Sequence, residues 1–268
     1  MTVLGEYVLP GGGGAWTQSL MAALAALGVR EKAARQAIAR LHEQGWLERN
    51  RVGRQTRWHL TPDLTRLLTV GADRIYGFGQ VERPWDERWV VLLVSVPEPE
   101  RSARYRMTVR LRWAGFGSLG QGTWLSPWVD DEAAAVGVLD ELGLAGTSFR
   151  ATLGELGDAH QLADQAWDLD ALRLRYDEFL RDADRLVAAT APRGPLLPAA
   201  ALSRLVHRWR QFPFVDPDLP TDLLPGGWPG ATAAARFTEL RERWRNDAGR
   251  WWLETDTAFG SEPGQGPA

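Results

Sequence analysis

The chain has 268 residues, 44% of them hydrophobic and 24% charged, with a formal net charge of −3 and no cysteine. That is enough apolar material for roughly two domains or a little more, while the apolar runs at 20–27 and 89–96 are far short of the about 20 residues a spanning helix needs. Disulfides, thiolate zinc sites and thiol catalysis are excluded, and with no export signal a cytoplasmic protein is expected.

In chain order, residues 1–9 place Val3, Leu4, Tyr7 and Val8 at helical spacing, and Pro10 with the glycines at 11–14 ends that helix. A second helix is predicted over 16–27, with Leu20, Leu24 and Leu27 toward the core and Gly28 at the C-cap position. The third is led by Val29. Val29, Ala33, Ala37, Ile38 and Leu41 form its apolar stripe and leave Arg30, Lys32, Arg35, Gln36 and Arg40 free. Gly45 stops it, and two extended runs on either side of 50–55 form a hairpin with Gly53 at the tip. Arg49, Arg51, Arg54 and Arg57 crowd this hairpin. Three helices followed by a basic hairpin read as a winged helix-turn-helix. Its cationic and amide side chains at the front of one helix can reach phosphates and base edges, since arginine grips guanine bidentately and glutamine adenine.

A solvated charged helix beside an ordinary hairpin is the plain alternative. The distribution of charge weighs against it: residues 1–60 hold eight basic and four acidic side chains, a net of +4, so 61–268 carry −7. Such asymmetry suits a local polyanion site on an acidic body rather than a surface coated with nucleic acid.

Thr61-Pro62 restart a helix to about Ala72 or Tyr76, and Gly77, Gly79 and Pro84 mark a connector. Residues 89–96 read as a central strand covered on both faces and ended by Pro97 and Pro99. A helix over 101–114 through Tyr105, Val109, Leu111 and Trp113 follows. After it come a glycine-rich turn at 115–122 that leads into a second strand pair at 123–126, a helix over 131–144 and a strand at 147–153. The order βαββαβ is the ferredoxin-like plan. Helices at 169–189, 198–212 and 232–252 surround a proline-rich loop at 212–229, with Trp251-Trp252 closing the last helix and a frayed tail after it. The expected fold class is α+β: a winged domain 1–76, a ferredoxin-like middle domain 77–158, a helical domain 159–260 and a disordered tail 261–268.

Several apparent motifs carry no chemistry. The GxGxxG run at 115–120 follows a helix and leads into a strand, the reverse of a dinucleotide site, and is a structural turn. The glycines at 11–14 lack the Gly-Lys-Ser/Thr of a phosphate loop. His42, His59, His160 and His207 are not spaced as metal ligands, and Ser118 lacks a nucleophile-elbow context. Asp130-Asp131-Glu132 stands where a helix begins and reads as N-capping. No catalytic residue, metal site or cofactor is therefore expected.

Most of the 14 tryptophans are expected to be core or interface anchors. Trp124 and Trp128, which flank Leu125-Ser126-Pro127, and Trp209, between Arg208 and Arg210, are the candidates for lining a ligand cavity. Arginines beside them, from the 101, 104, 106, 110, 112 series or the 204, 208, 210 series, would hold a phosphate-rich handle, with Arg112, Arg208 and Arg210 the nearest choices.

Several separated blocks then match one family in order: GVREKAARQAIARLHEQGWL at 28–47, RVGR at 51–54, Ile75-Tyr76, PWDERW at 84–89, LRWAGFG at 111–117, GTWLSP at 122–127, HRWRQFPF at 207–214 and DPDLP at 216–220. Across nearly the whole chain this order resembles PaaX-type repressors, the regulators of phenylacetic acid degradation. The resemblance implies a homodimer with an N-terminal winged helix, a middle domain similar to the small CRISPR-associated nuclease fold and a helical C-terminal domain. It also implies repression of a catabolic operon through a double-stranded DNA operator, and release when an aryl-acyl coenzyme A, typically phenylacetyl-CoA, binds. That nuclease fold holds metal with an aspartate at the end of its first strand. Here the stretch reads Val94-Ser95-Val96-Pro97, and a structural middle domain is expected. The alternatives are a nucleic-acid-processing enzyme built on the middle domain and a winged-helix protein-interaction module.

Overall fold

The structure is a computed structural model that describes residues 1–80, 83–96, 101–191, 194 and 196–260. Pro97, Pro99, the side chain of Arg101 and the expected tail 261–268 lie outside the described residues. A π-helical turn, Leu4–Val8, precedes β1 (Gly14–Trp16), α1 (Thr17–Ala26), α2 (Glu31–Glu43), β2 (Leu47–Val52), β3 (Gln55–Leu60) and α3 (Pro62–Gly77). Then come β4 (Arg88–Val94), α4 (Arg101–Trp113), β5 (Gly117–Gly120), β6 (Thr123–Ser126), α5 (Asp131–Leu142) and β7 (Gly146–Thr152). The chain continues through α6 (Ala159–Ala166), α7 (Leu169–Ala189), α8 (Pro198–Trp209), α9 (Phe212–Val215), a 3-10 turn (Thr221–Leu223) and α10 (Gly230–Gly260). The protein is α+β, with two antiparallel sheets. It divides into two units: Met1–Gly77, Phe179–Arg210 and the chain from Ala233 on form the first, and Phe78–Glu178 with Gln211–Thr232 the second.

In the first unit the sheet order is β1-β3-β2. β1 falls inside the expected glycine loop and pairs Gly14–Trp16 with His59, Trp58 and Arg57. Three residues are too few to show a period, so this strand has no local signature. The core is aromatic. Trp209 is fully buried, stacks on Phe237 at 4.7 Å between centroids and meets Phe179 at 5.2 Å. Its indole N–H donates to the Ile75 carbonyl at 3.0 Å, which supplies the partner that a buried tryptophan needs. Trp251-Trp252 does not close the last helix: α10 runs on to Gly260, and Trp252 is buried against Tyr7, 5.6 Å away. Tyr7 in turn donates to the Ala199 carbonyl at 2.6 Å, so the first turn of the chain is tied to α8 and α10.

In the second unit the four strands run in the order β5-β6-β4-β7, every neighbouring pair antiparallel. β4 is interior, and its alternation sends Val90, Leu92 and Val94 to a cluster with Met107, Leu111 and Leu139. Trp89 goes to the opposite face with Leu125, Ala163 and Leu169. Two layers therefore explain why this strand is apolar at nearly every position. The stripe of α4 differs from expectation. Ala103, Met107 and Leu111 are buried, whereas Tyr105 and Trp113 are 72% and 64% exposed, because the i, i+4, i+8 row that meets the sheet starts at a small residue. The acidic triplet at α5 is not a cap: Asp130 makes no side-chain cap bond. Ser126 instead donates to Asp131 at 2.6 Å, and Glu132 accepts from Ser148 and from Arg150. These carboxylates fasten the helix to β6 and β7, and burial raises the pKa of Asp131 despite the serine bond.

Candidate nucleic-acid interface

Two adjacent helix ends build the site, and both end the same way. α1 stops at Leu27, and Gly28, at φ +84°, donates to Ala25 while Val29 donates to Leu24. α2 stops at Gln44, and Gly45, at φ +74°, donates to His42 while Trp46 donates to Leu41. This pair of bonds needs a left-handed residue followed by an apolar one, which Gly28-Val29 and Gly45-Trp46 supply. The first motif sets the turn between α1 and α2, and the second aims the chain into the hairpin.

On α2 the buried positions are Ala34 and Ile38, with Leu41 partly buried; Ala33 and Ala37, expected in the stripe, are exposed. The apolar ridge is thus one position later than expected at its start, since Val29 precedes the helix and does not set its phase. Lys32 and Gln36, one turn apart, stand opposite that ridge, with Arg35 and Arg40 on its two flanks and Arg30 at the N-cap; all five are exposed. Lys32 is the only lysine in the chain, and composition totals that pool lysine with arginine hide it. Arg35 holds Glu31 through Nε and Nη2, at 2.9 and 2.8 Å. An exposed i,i+4 pair is worth about 0.3–0.5 kcal/mol, so a phosphate displaces it easily.

The hairpin pairs Val52 with Gln55, leaving Gly53-Arg54 as a two-residue loop with positive φ at Gly53, as a right-twisted hairpin requires. Cross-strand partners share a face, so Arg49 and Arg51 lie with Trp58 and Thr56, and Arg57 lies on the other face opposite Asn50. Arg49, Arg51 and Arg54 are exposed. Arg57 is engaged otherwise: its guanidinium donates to the Gly14 carbonyl at 3.2 Å, pairs with Asp256 at 3.5 Å and lies 5.2 Å from the centre of the Trp16 ring. The base of the hairpin is fixed to both helices. His42 Nδ1 is 2.7 Å from the Leu47 carbonyl, and Trp58 Nε1 donates to Thr17 at 2.9 Å. The result is an exposed ridge of donors beside an exposed basic hairpin tip on a rigid support.

The six residues expected around a ligand fall in both units. Trp124 and Trp128 are buried in the second, and the Trp128 indole donates to the Asp218 carbonyl at 2.8 Å. Trp209 fills the core of the first, and Arg210 caps α8. Trp128 and Trp209 are packing residues with their indole N–H groups engaged, whereas Trp124 edges a cavity of about 390 Å³ in the second unit. Arg112 and Arg208 do border open cavities. Arg112 edges a cleft of about 440 Å³ in the second unit, walled by Trp113, Trp167 and Phe214, and Arg208 edges one of about 540 Å³ in the first. The exposed Ser95 lies in a third cavity with Arg104, Ser118 and Gln121. Hydroxyl, amide and guanidinium groups without a carboxylate do not suit a divalent cation. Among the described residues no group of three or more His, Asp or Glu side chains is placed to hold a metal ion, and no helix is long and apolar enough to cross a membrane.

Comparison with known proteins matches three family models along the chain: "PaaX-like protein" at residues 1–64, "PaaX protein central Cas2-like domain" at 82–163 and "PaaX-like protein C-terminal domain" at 167–254. A transcriptional repressor PaaX from Escherichia coli K12 is 30% identical over 259 residues, covering 90% of this chain and 78% of that protein. A solved structure of an uncharacterized protein, Rv0674 from Mycobacterium tuberculosis, superposes with a TM-score of 0.62 at 21% identity over 97% of both chains. That likeness is one of fold.

Proposed function

The chain belongs to the PaaX family and is a transcriptional regulator, not an enzyme, and from that premise we propose that it is a cytoplasmic, homodimeric repressor that reads operator DNA through α2 and the β2–β3 hairpin. The observation that carries this is the exposed ridge of Lys32 and Gln36, flanked by Arg30, Arg35 and Arg40 and set beside Arg49, Arg51 and Arg54. In this assignment residues 1–76 act as a winged helix, 77–158 as a ferredoxin-like structural domain and 159–260 as the helical domain. The strand order β5-β6-β4-β7 supports the second of these, and the breaks between the family models support the division. The operon repressed is one for catabolism of a phenylacetate-type aromatic acid, and the signal that releases it is an aryl- or acyl-CoA such as phenylacetyl-CoA. The repressor name of the Escherichia coli relative supports repression. Two α2 helices of a dimer would enter successive major grooves, so half-sites should lie about one helical turn apart or a multiple of it.

Gln36→Ala is expected to lose about 1–3 kcal/mol of affinity on the cognate operator and little on random duplex, measured by fluorescence anisotropy on DNA from the protein's own upstream region. Equal weakening on both sequences would remove Gln36 from base reading. Lys32 gives an independent check. An amine-directed acetylating reagent has one lysine to modify, and operator DNA should protect it. Unchanged modification at saturating DNA would show that α2 does not face the groove.

Two hairpin arginines should behave differently. Arg54→Ala is expected to weaken binding to all sequences and to flatten the salt dependence by about one unit. Arg57→Ala should instead lower the melting temperature with a smaller change in salt slope, because its guanidinium is tied to Gly14 and Asp256. The reverse pattern would exchange their roles.

A further inference from the structure

The cavity of about 540 Å³ in the first unit opens beside the turn that joins α1 to α2. Leu27 and Val29, on either side of Gly28, form part of its wall, and Leu186 of α7 adds a further apolar surface. Its volume is in the range of small-molecule sites. The mouth is cationic: Arg185 from α7 and Arg204 and Arg208 from α8 border it, with His207 beside them, against the carboxylate of Asp182. Asp182 lies between Arg185, at 2.7 Å, and Arg208, at 3.0 Å, so it holds two guanidiniums together without neutralising the group. This local excess of positive charge stands out because residues 61–268 carry a net charge of −7. Crowding is visible at His207, whose pKa is lowered first by burial and then by Arg210 and Arg208.

We propose that this cavity is a regulatory site for a small amphipathic anion, with an aryl or short acyl group against Leu27, Val29 and Leu186 and a carboxylate or phosphate between the arginines. Guanidinium forks match both anions bidentately. The site is mechanically coupled to α2. Arg204 reaches the Leu27 carbonyl at 3.5 Å, the limit of a hydrogen bond, and an anion that recruits Arg204 withdraws it from the helix turn. A ligand that touches both sides of Gly28 favours one setting of α2 over another, and by linkage DNA and ligand then change each other's affinity. The coupling rests on the assignment of α2 to DNA; the ligand site itself does not.

The test is isothermal titration of the full chain, free of DNA, with phenylacetate, phenylacetyl-CoA and coenzyme A, repeated on Arg204→Glu, on Val29→Phe, which fills the wall, and on Arg112→Glu in the other unit. Binding of phenylacetate supports the site with a carboxylate ligand. Binding of phenylacetyl-CoA alone among the three supports it with a phosphate-bearing one. In either case Arg204→Glu and Val29→Phe should each weaken binding roughly tenfold or more, with Arg112→Glu unchanged. No binding of either aryl compound, or binding that ignores both cavity variants, overturns the proposal. Anisotropy on operator DNA with the same variants separates the two claims. Ligand binding of the expected pattern in a protein that binds no DNA would keep the cavity and discard the repressor.

Discussion

Trp209→Ala is expected to cost about 3–5 kcal/mol, the range for removing a large buried aromatic from a packed core. The side chain is fully buried, stacked on Phe237 and packed against Phe179, so truncation opens a cavity that three neighbouring helices cannot close without moving. It also leaves the Ile75 carbonyl, which accepts the indole N–H at 3.0 Å, without that partner, a further penalty of about 1–3 kcal/mol where water cannot enter. Against a total stability of about 5–15 kcal/mol such a loss is decisive. Urea unfolding followed by far-ultraviolet dichroism should show a much lower midpoint with little change in slope. Trp209→Phe, which keeps a ring and loses only the donor, should fall between the two. A cost below about 1 kcal/mol for the alanine variant would show that this tryptophan faces a site open to solvent or ligand.

The second large effect is on the pH dependence of stability. Each unit holds a carboxyl that accepts a tyrosine hydroxyl: Tyr76 donates to Glu6 in the first and Tyr176 to Asp216 in the second. Burial pushes Glu6 up to about 7, although Arg241 pulls it down, and burial likewise pushes Asp216 up to about 6, although Tyr176 and the Asp218 N–H oppose the shift. A carboxyl whose folded pKa is raised binds its proton more tightly in the native protein. Its contribution is therefore complete below the ordinary carboxylate range and is lost as pH rises through about 6 to 7. For Glu6 the loss by pH 8 is on the order of 3 kcal/mol. The melting temperature should accordingly fall between pH 5 and pH 8. Glu6→Gln keeps an acceptor for Tyr76 and cannot ionise, so it should be neutral at pH 5 and stabilising at pH 8, and Asp216→Asn should do the same with a lower midpoint. A pH slope in Glu6→Gln equal to that of the native chain would show that Glu6 ionises freely.

What was legible in the sequence was what is encoded over a few residues. The bounds of α7 coincide with the predicted 169–189, because a long apolar period is a local property. The ends of α1 and α2 follow from Gly28-Val29 and Gly45-Trp46, and the hairpin tip from Gly53, each a backbone conformation that glycine adopts without strain. The exposure of Lys32 and Gln36 follows from their position opposite Ile38 on the same helix. The alternation of strand and helix in the middle region was likewise readable, except that β5, Gly117–Gly120, occupies a stretch expected to be a turn and is a strand because it pairs with β6.

Tertiary structure decided everything that depends on partners distant in the chain. β1 exists because three residues after a glycine run find Trp58 and its neighbours. Arg57 is separated from Arg54 by Asp256, contributed by the last helix, and no local pattern distinguishes two arginines three residues apart on one hairpin. Asp131 and Glu132 look like caps until β6 and β7 bring Ser126, Ser148 and Arg150 to them. The tryptophans divide in the same way: Trp209 is covered and Trp113 is exposed, although both sit beside arginines in the sequence. By itself, then, the sequence determined the longer helices, the hairpin and the central strand, the exposed basic helix and the family. Which charges are free, which aromatics are core and where a cavity opens depended on packing, because burial and ion pairing are set by the nearest neighbours in space, and those neighbours come from other parts of the chain.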